Sequence, residues 1–251
     1  MKPHQLLAQL PARIALLTGV GIVIAIAGTP VDAAVIVKYT LAPSVSGSTR
    51  SDPTEIHDGI TAAKYLAHGD TQIGSSSHFI RVDSVDPDDG IPYSTKLATI
   101  ESAVQYNMYG EFGVTVDDGM MLNLSSLEFG MRNDRGVFGQ FFSVHVRSSL
   151  DDFASDIATA TQIRTAADTD TTQGPDRTLV HLTDADYQQL TGTVTFRLYM
   201  VTSIVDNTGS SEYIRIMPDI VLEGEASPIP EPAMLGLAGL GGLLMLRRRQ
   251  A

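Results

Sequence analysis

The sequence predicts an all-β fold, an antiparallel β-sandwich of jelly-roll type with about nine strands. Three observations carry that expectation. Apolar residues recur with period two along the middle of the chain, as half-buried strands require. Turn sequences such as Asp88-Asp89-Gly90, Val116-Asp117-Asp118-Gly119 and Asn207-Thr208-Gly209 separate these runs. Helical spacing is sparse, and short alternating strands joined by such turns favour two packed sheets.

Taken in order, the expected strands are Val35 to Leu41, His78 to Asp83, Val104 to Met108, Phe112 to Val116 and Met120 to Met131. Phe142 to Val146, Thr178 to Leu182, Val194 to Met200 and Glu212 to Glu223 complete the set. The alternation is clearest in TVTFRLYMV, where Val194, Phe196, Leu198 and Met200 share one face while Thr195, Arg197 and Tyr199 share the other, which places Tyr199 at the surface. By the same parity His145 and His181 point to solvent.

The segment MLNLSSLEFGM changes phase. Leu122 and Leu124 have one parity, Leu127 and Phe129 the other. One extra residue near Ser125-Ser126 restores a single buried face, so a β-bulge is expected there. Two segments are compatible with helix. Residues 149–167 space Leu150, Phe153, Ile157 and Ala160 at helical intervals behind Ser149, and fit either a helix or an exposed loop. Gly59 to His68 fits one short helix, and residues 168–177 read as a polar loop.

The ends differ from the body. Lys2 and Arg13 precede an apolar stretch from Ile14 to Ala27, followed by Pro30 and the small-residue site Val31-Asp32-Ala33, a secretory signal helix with expected cleavage between Ala33 and Ala34 by signal peptidase. At the other end Ala233 to Leu246 is apolar and Arg247, Arg248 and Arg249 follow. Fourteen residues rising ~1.5 Å each cover about 21 Å of a hydrocarbon core ~30 Å thick, a short transmembrane helix at most. Basic residues stay on the cytoplasmic side, so both ends point inward and the body lies outside. The expected domains are a signal peptide (1–33), an extracellular sandwich (34–226) and a sorting and membrane segment (227–251).

Formal net charge is −12. Residues 34–227 hold 12 Lys+Arg against 27 Asp+Glu, hence −15. Such a surface repels nucleic acid, which excludes it as a partner. There is no cysteine, so burial alone holds the exported body together and no thiol nucleophile exists.

Pro230-Glu231-Pro232, the adjoining apolar segment and the terminal arginines together closely resemble the PEP-CTERM sorting signal of bacterial exported proteins. The resemblance implies that Pro230, Glu231 and Pro232 form the recognition element for an exosortase, a membrane-embedded cysteine protease that processes and re-anchors its substrates at the cell surface. It implies that Arg247, Arg248 and Arg249 form the membrane stop. Stretches such as LNLSSLEF, VHVRSSLDDFASDI and TFRLYM are similar to the β-sandwich ectodomains that precede this signal, whose families accompany exopolysaccharide production.

Catalytic patterns are not found. The chain lacks HExxH, GxSxG and Walker motifs, its histidines are scattered, and Gly74-Ser75-Ser76-Ser77-His78 places serine beside histidine without the geometry of a triad. DSVDPDDG is the one carboxylate cluster that suits a hard cation: Asp83, Asp86, Asp88 and Asp89 are candidate calcium ligands, although the spacing is not that of an EF-hand. Calcium is the only cofactor to consider. Tyr39, Tyr65, Tyr93, Tyr106, Tyr109, Tyr187, Tyr199 and Tyr213 are the sugar-stacking candidates in a chain without tryptophan.

These readings converge on a non-enzymatic exported protein of the cell surface or extracellular matrix, processed and anchored by exosortase and membrane-associated before processing, a structural, adhesive or carbohydrate-binding module for which polysaccharide is a candidate partner. The alternative is a secreted glycan-active hydrolase on a jelly-roll scaffold.

Overall fold

Two long strands rich in alternating apolar residues organise the molecule. β9 (Met120–Asp134) and β14 (Tyr213–Pro228) pair along nearly their whole length and form the spine of the first sheet. The computed structural model describes residues 33–41, 48–69, 71–74, 77–82, 84–134, 141–163, 176–203 and 213–230. All of these belong to one unit, Asp32–Ala251. The expected signal helix, the C-terminal helix and the Asn207-Thr208-Gly209 turn lie outside the described residues.

In chain order the described elements begin with β1 (Ala34–Tyr39), β2 (Arg50–Ser51), β3 (Glu55–Ile56), β4 (Ile60–Ala62), β5 (Tyr65–Ala67), β6 (Gln72–Gly74) and β7 (Ser77–Arg81). Helices α1 (Tyr93–Lys96) and α2 (Ile100–Gln105) then precede β8 (Tyr109–Val116), β9 and β10 (Phe141–Ser148). β11 (Ala158–Ile163), β12 (Asp176–His181), β13 (Thr193–Thr202) and β14 complete the chain.

The first sheet runs β12-β9-β14-β1-β3, with the β6-β7 hairpin added on the β14 edge beyond β1. The second runs β11-β10-β13-β8-β5-β2, with β4 also on β8. All pairings are antiparallel, and the two sheets form a sandwich-like body.

The core between them follows the alternation read from sequence. Val194, Phe196, Leu198 and Met200 face Phe112, Val114, Phe142, Val144 and Val146 on the neighbouring strands, and Leu122, Leu124, Leu127, Phe129, Ile214, Ile216, Ile220 and Leu222 supply the opposite wall. Phe112 and Phe196 stack at 5.5 Å between centroids. Burying each such side chain contributes roughly 1.5–3 kcal/mol.

The bulge is where the phase change put it. Ser126 pairs with Glu223 and Leu124 with Gly224, so Ser125 is the additional residue and both Leu124 and Leu127 turn inward.

The described residues form fourteen strands rather than about nine, the excess being mainly the two- and three-residue strands β2 to β6. Four further expectations are corrected. Val104 to Met108 does not form a strand: Val104 and Gln105 belong to α2, which starts at Ile100 because Thr99 and Ser102 close a capping box and Glu101 lies in the first turn. Of residues 149–167 the described part, 149–163, holds no long helix but a 3-10 turn, Ser149–Asp151, and then β11. In ATATQI the threonines and alanines alternate with period two, and β-branched threonine fits a half-exposed strand. Gly59 to His68 is likewise extended, as β4 and β5.

The fourth concerns Tyr199, which is only 2% exposed. The outer face of the second sheet is covered by its own long polar side chains. Arg147 lies over the Tyr199 ring at 5.6 Å, and Tyr109 packs beside it at 4.9 Å. His181, by contrast, is exposed, and His145 is half-buried against Asp156.

Candidate functional site

The sequence contains an aromatic-Ile-Arg tripeptide twice, Phe79-Ile80-Arg81 on β7 and Tyr213-Ile214-Arg215 on β14. Strand alternation sends each isoleucine into the core and each aromatic and arginine outward. Antiparallel pairing then sets Phe79 opposite Arg215 and Tyr213 opposite Arg81. Phe79 and Tyr213 meet edge to face at 5.7 Å, with the Arg215 guanidinium 5.2 and 5.1 Å from their centroids.

This pair borders a cleft of about 520 Å3, whose other walls include Gln72, Thr49, Ser84 and Tyr93. Aromatic rings amid hydroxyl and amide groups can offer a stacking face to the C–H side of a pyranose and hydrogen bonds to its hydroxyls. The cleft thus has the lining such a ligand requires. The sequence reading included Tyr93 and Tyr213 but not Phe79, Gln72 or Arg81; the repeated tripeptide was the signal available.

The other tyrosines have different surroundings. Tyr39 and Tyr65 lie in the core, and Tyr187 is buried. On the second sheet Arg197 is wedged between Phe153 and Tyr109, 3.8 and 4.6 Å from their centroids. Glu111 Oε2 accepts from Arg197 Nε at 2.8 Å. Asp156 accepts from Arg147 Nε at 2.6 Å and faces His145 Nδ1 at 2.6 Å. His68 Nε2 has no hydrogen-bond partner and lies 4.0 Å from Glu111 Oε1. On this face the tyrosine rings carry guanidinium groups rather than open stacking surfaces.

The acidic turn has an internal cation. Asp86 Oδ2 accepts from Lys96 Nζ, Asp89 Oδ2 lies 2.8 Å from the same ammonium, and Asp86 Oδ1 accepts from the Asp88 amide at 2.7 Å. Lys96 and Asp86 are 4% and 2% exposed, and Tyr93 and Tyr106 place their rings 5.5 and 5.2 Å from the ammonium. Burial pulls the Lys96 pKa down, but hydrogen bonds to Asp86 and Asp89 outweigh it and hold the pKa above that of ordinary lysine. Asp88 is exposed, and Asp83 lies outside the described residues. Among the described residues no group of three or more metal-ligating side chains is assembled.

Lys96→Met removes a buried positive partner of Asp86, and is expected to cost about 3 kcal/mol in urea unfolding at pH 7.

A smaller cleft of about 240 Å3 is lined by Asp151, Asp156, Asp184 and Asp186 with Tyr187 and Ser148 among its neighbours. Hydrogen bonds from Ser155 hold the Asp151 carboxyl below the usual range. Burial pushes Asp156 up, but His145 and Arg147 outweigh it and leave it lowered as well. Both carboxylates are thus held ionised, the opposite of what a general acid requires.

The chain leaves the body at a defined point. β14 continues past Ala226 to Pro228, paired with Met120, and Ile229 N donates to Gly119 O at 2.8 Å. Pro228 is tolerated because β1 pairing ends at Gly224, which leaves that edge without a ladder to complete. Pro230 is exposed; Glu231, Pro232 and Arg247 to Arg249 lie outside the described residues. From the last strand residue onward, residues 228–250 match the PEP-CTERM protein-sorting motif. The chain carries a PEP-CTERM sorting signal.

The PEP-CTERM signal marks an exported protein that is processed by exosortase and anchored at the cell envelope. Among the described residues no helix is long and apolar enough to cross a membrane. Ala33 is exposed and Ala34 begins β1, the two residues on either side of the expected signal cleavage.

No curated protein matches the chain. Among solved structures it is similar to a carbohydrate binding module of family 29, at 12% identity and TM-score 0.31 over 76% of this chain and 90% of that one. A mutant of a family 29 module gives 12% identity and TM-score 0.27 over 76% and 90%.

Proposed function

We propose that this is a non-catalytic, exosortase-sorted surface or matrix protein, cleaved by signal peptidase between Ala33 and Ala34, whose body binds polysaccharide. The observation that carries the binding role is the cleft beside Phe79 and Tyr213, where ring edges and hydrogen-bonding side chains share one open wall. The sorting signal begins where β14 ends, so the protease can act on the tail without opening the sandwich.

Two measurements test this. Intact mass of protein recovered from surface and medium is expected to show loss of the segment after Pro230-Glu231-Pro232 only in cells that contain exosortase. A tail kept in both backgrounds would mean a plain anchor. Full-length protein in non-ionic detergent is expected to be retained on polysaccharide columns, and Tyr213→Ala to weaken retention about tenfold, the scale of losing one stacking contact of 1–1.5 kcal/mol.

The hydrolase reading has one observation in its favour, the cleft with four aspartates. Release of reducing ends from a glycan panel, abolished by Asp184→Asn or Asp186→Asn, would move the assignment to that class.

A further inference from the structure

By register the outer face of β6, β7, β14 and β9 brings together Gln72, Phe79, Arg81, Tyr213, Arg215 and Arg132. Arg215 stands opposite both Phe79 and Arg132 on its two neighbouring strands. Three of the twelve cationic residues in a body of net charge −15 therefore occupy one patch of three adjacent strands.

We infer that the cleft selects acidic polysaccharides that bear uronate carboxylates. This rests on the cleft being a glycan site, as proposed above. Recognition of a uronate needs an apolar face for the C–H side of the ring and a planar donor for its carboxylate. The two aromatics supply the first, and guanidinium supplies the second, since its fork matches a carboxylate in two parallel hydrogen bonds. Arg81 is exposed and lines the cleft, which puts its guanidinium at the wall a ligand would meet. Arg215, over both rings and bonded to Ser77 Oγ at 3.1 Å, fixes the aromatic pair and adds positive potential behind it.

The overall charge makes the inference sharp. A body of −15 repels a polyanion at long range, yet at ~0.1 M salt charges more than about 10 Å away are largely screened. Retention of a polyanion by this protein must therefore come from a local site rather than from its average surface.

The test uses the full-length protein in non-ionic detergent with three immobilised ligands: polygalacturonate, the same polymer after reduction of its carboxyl groups, and single-stranded DNA as a polyanion without an exposed pyranose face. The expected result is retention on polygalacturonate at least about tenfold above the other two. Arg81→Gln should remove most of that preference with an unchanged circular dichroism spectrum, and Arg81→Lys should restore only part of it.

Equal retention on the native and reduced polymers, with Arg81→Gln unaffected, would overturn the acidic-sugar inference while leaving the glycan-binding role intact. Equal retention on DNA would reduce the site to charge alone and overturn it too. No retention on any of a broad set of glycans would overturn the underlying reading.

Discussion

Gly110→Ala is expected to destabilise the protein by about 4 kcal/mol, a large share of the 5–15 kcal/mol that holds an ordinary domain together. A Cβ built at Gly110 would lie 1.7 Å from Tyr65 Oη and 2.4 Å from its Cζ. Gly110 sits inside β8, opposite Leu198 on one side and Ala67 on the other, so its backbone cannot withdraw without breaking two ladders. Tyr65 is equally confined. Its ring is fully buried, stacked 6.3 Å from Phe112 and tilted against Tyr39 at 6.0 Å, and its hydroxyl meets His78 Nδ1 at 2.7 Å. Overpacking normally costs 1–3 kcal/mol, and a clash of this depth between two immobile groups belongs above that range. Urea unfolding of the single variant measures the loss, and Tyr65→Leu in the same chain should recover part of it by removing the ring. A single variant within 1 kcal/mol of the parent would mean that Tyr65 has room to leave.

That contact illustrates what was legible in the sequence. Most strands longer than about five residues were readable because two or three alternations establish a period, as in TVTFRLYMV; β11, six residues built of threonine and alanine with weak apolar contrast, was not. β2 to β6 have two or three residues each, too few to show one, and their pairing is decided by neighbouring strands. The bulge at Ser125 was readable since a phase error within one long strand has few other remedies. Tyr199 was misread because alternation reports which face a residue occupies and not what covers that face; Arg147 comes from the adjacent strand and completes the burial. Of the cleft, the two aromatic-Ile-Arg segments were in plain view 134 residues apart, Phe79 to Tyr213. Their meaning depends on β7 and β14 being neighbours, a fact of topology that no local pattern contains. The acidic turn was readable as a cation site in chemistry, while the ammonium of Lys96, ten residues from Asp86, became visible only once α1 was placed.

Acid should weaken the fold well above the range in which carboxylates protonate, and His78 is the reason. Its ring is buried between the sheets, and Thr71 Oγ1 lies 2.6 Å from Nε2. Thr71 has one hydroxyl proton and donates it to His68 O at 2.6 Å, so it must accept from the imidazole, which assigns the proton to Nε2. Nδ1 is then the acceptor for the Tyr65 hydroxyl. This neutral ring is satisfied at both nitrogens and has no place for a second proton. Burial, with a smaller contribution from His68, lowers its pKa to about 3 from an ordinary 6.5. Above pH 6.5 the imidazole is neutral in both the folded and unfolded chain and adds no pH dependence. Below it the unfolded chain binds a proton that the folded chain refuses until about pH 3, so stability falls by up to ~1.4 kcal/mol per unit across that window. The full loss is of order 5 kcal/mol. His68, whose pKa burial also lowers, adds to it in the same direction. The combined variant His78→Leu with Tyr65→Phe removes both halves of the Tyr65 contact and leaves Thr71 its bond to His68 O, so it should stay close to the parent at pH 7. Its urea midpoint should then fall much less than the parent's between pH 6.5 and 4. Parallel curves for the two proteins would place the acid sensitivity elsewhere and show that the imidazole accepts its proton in the folded state.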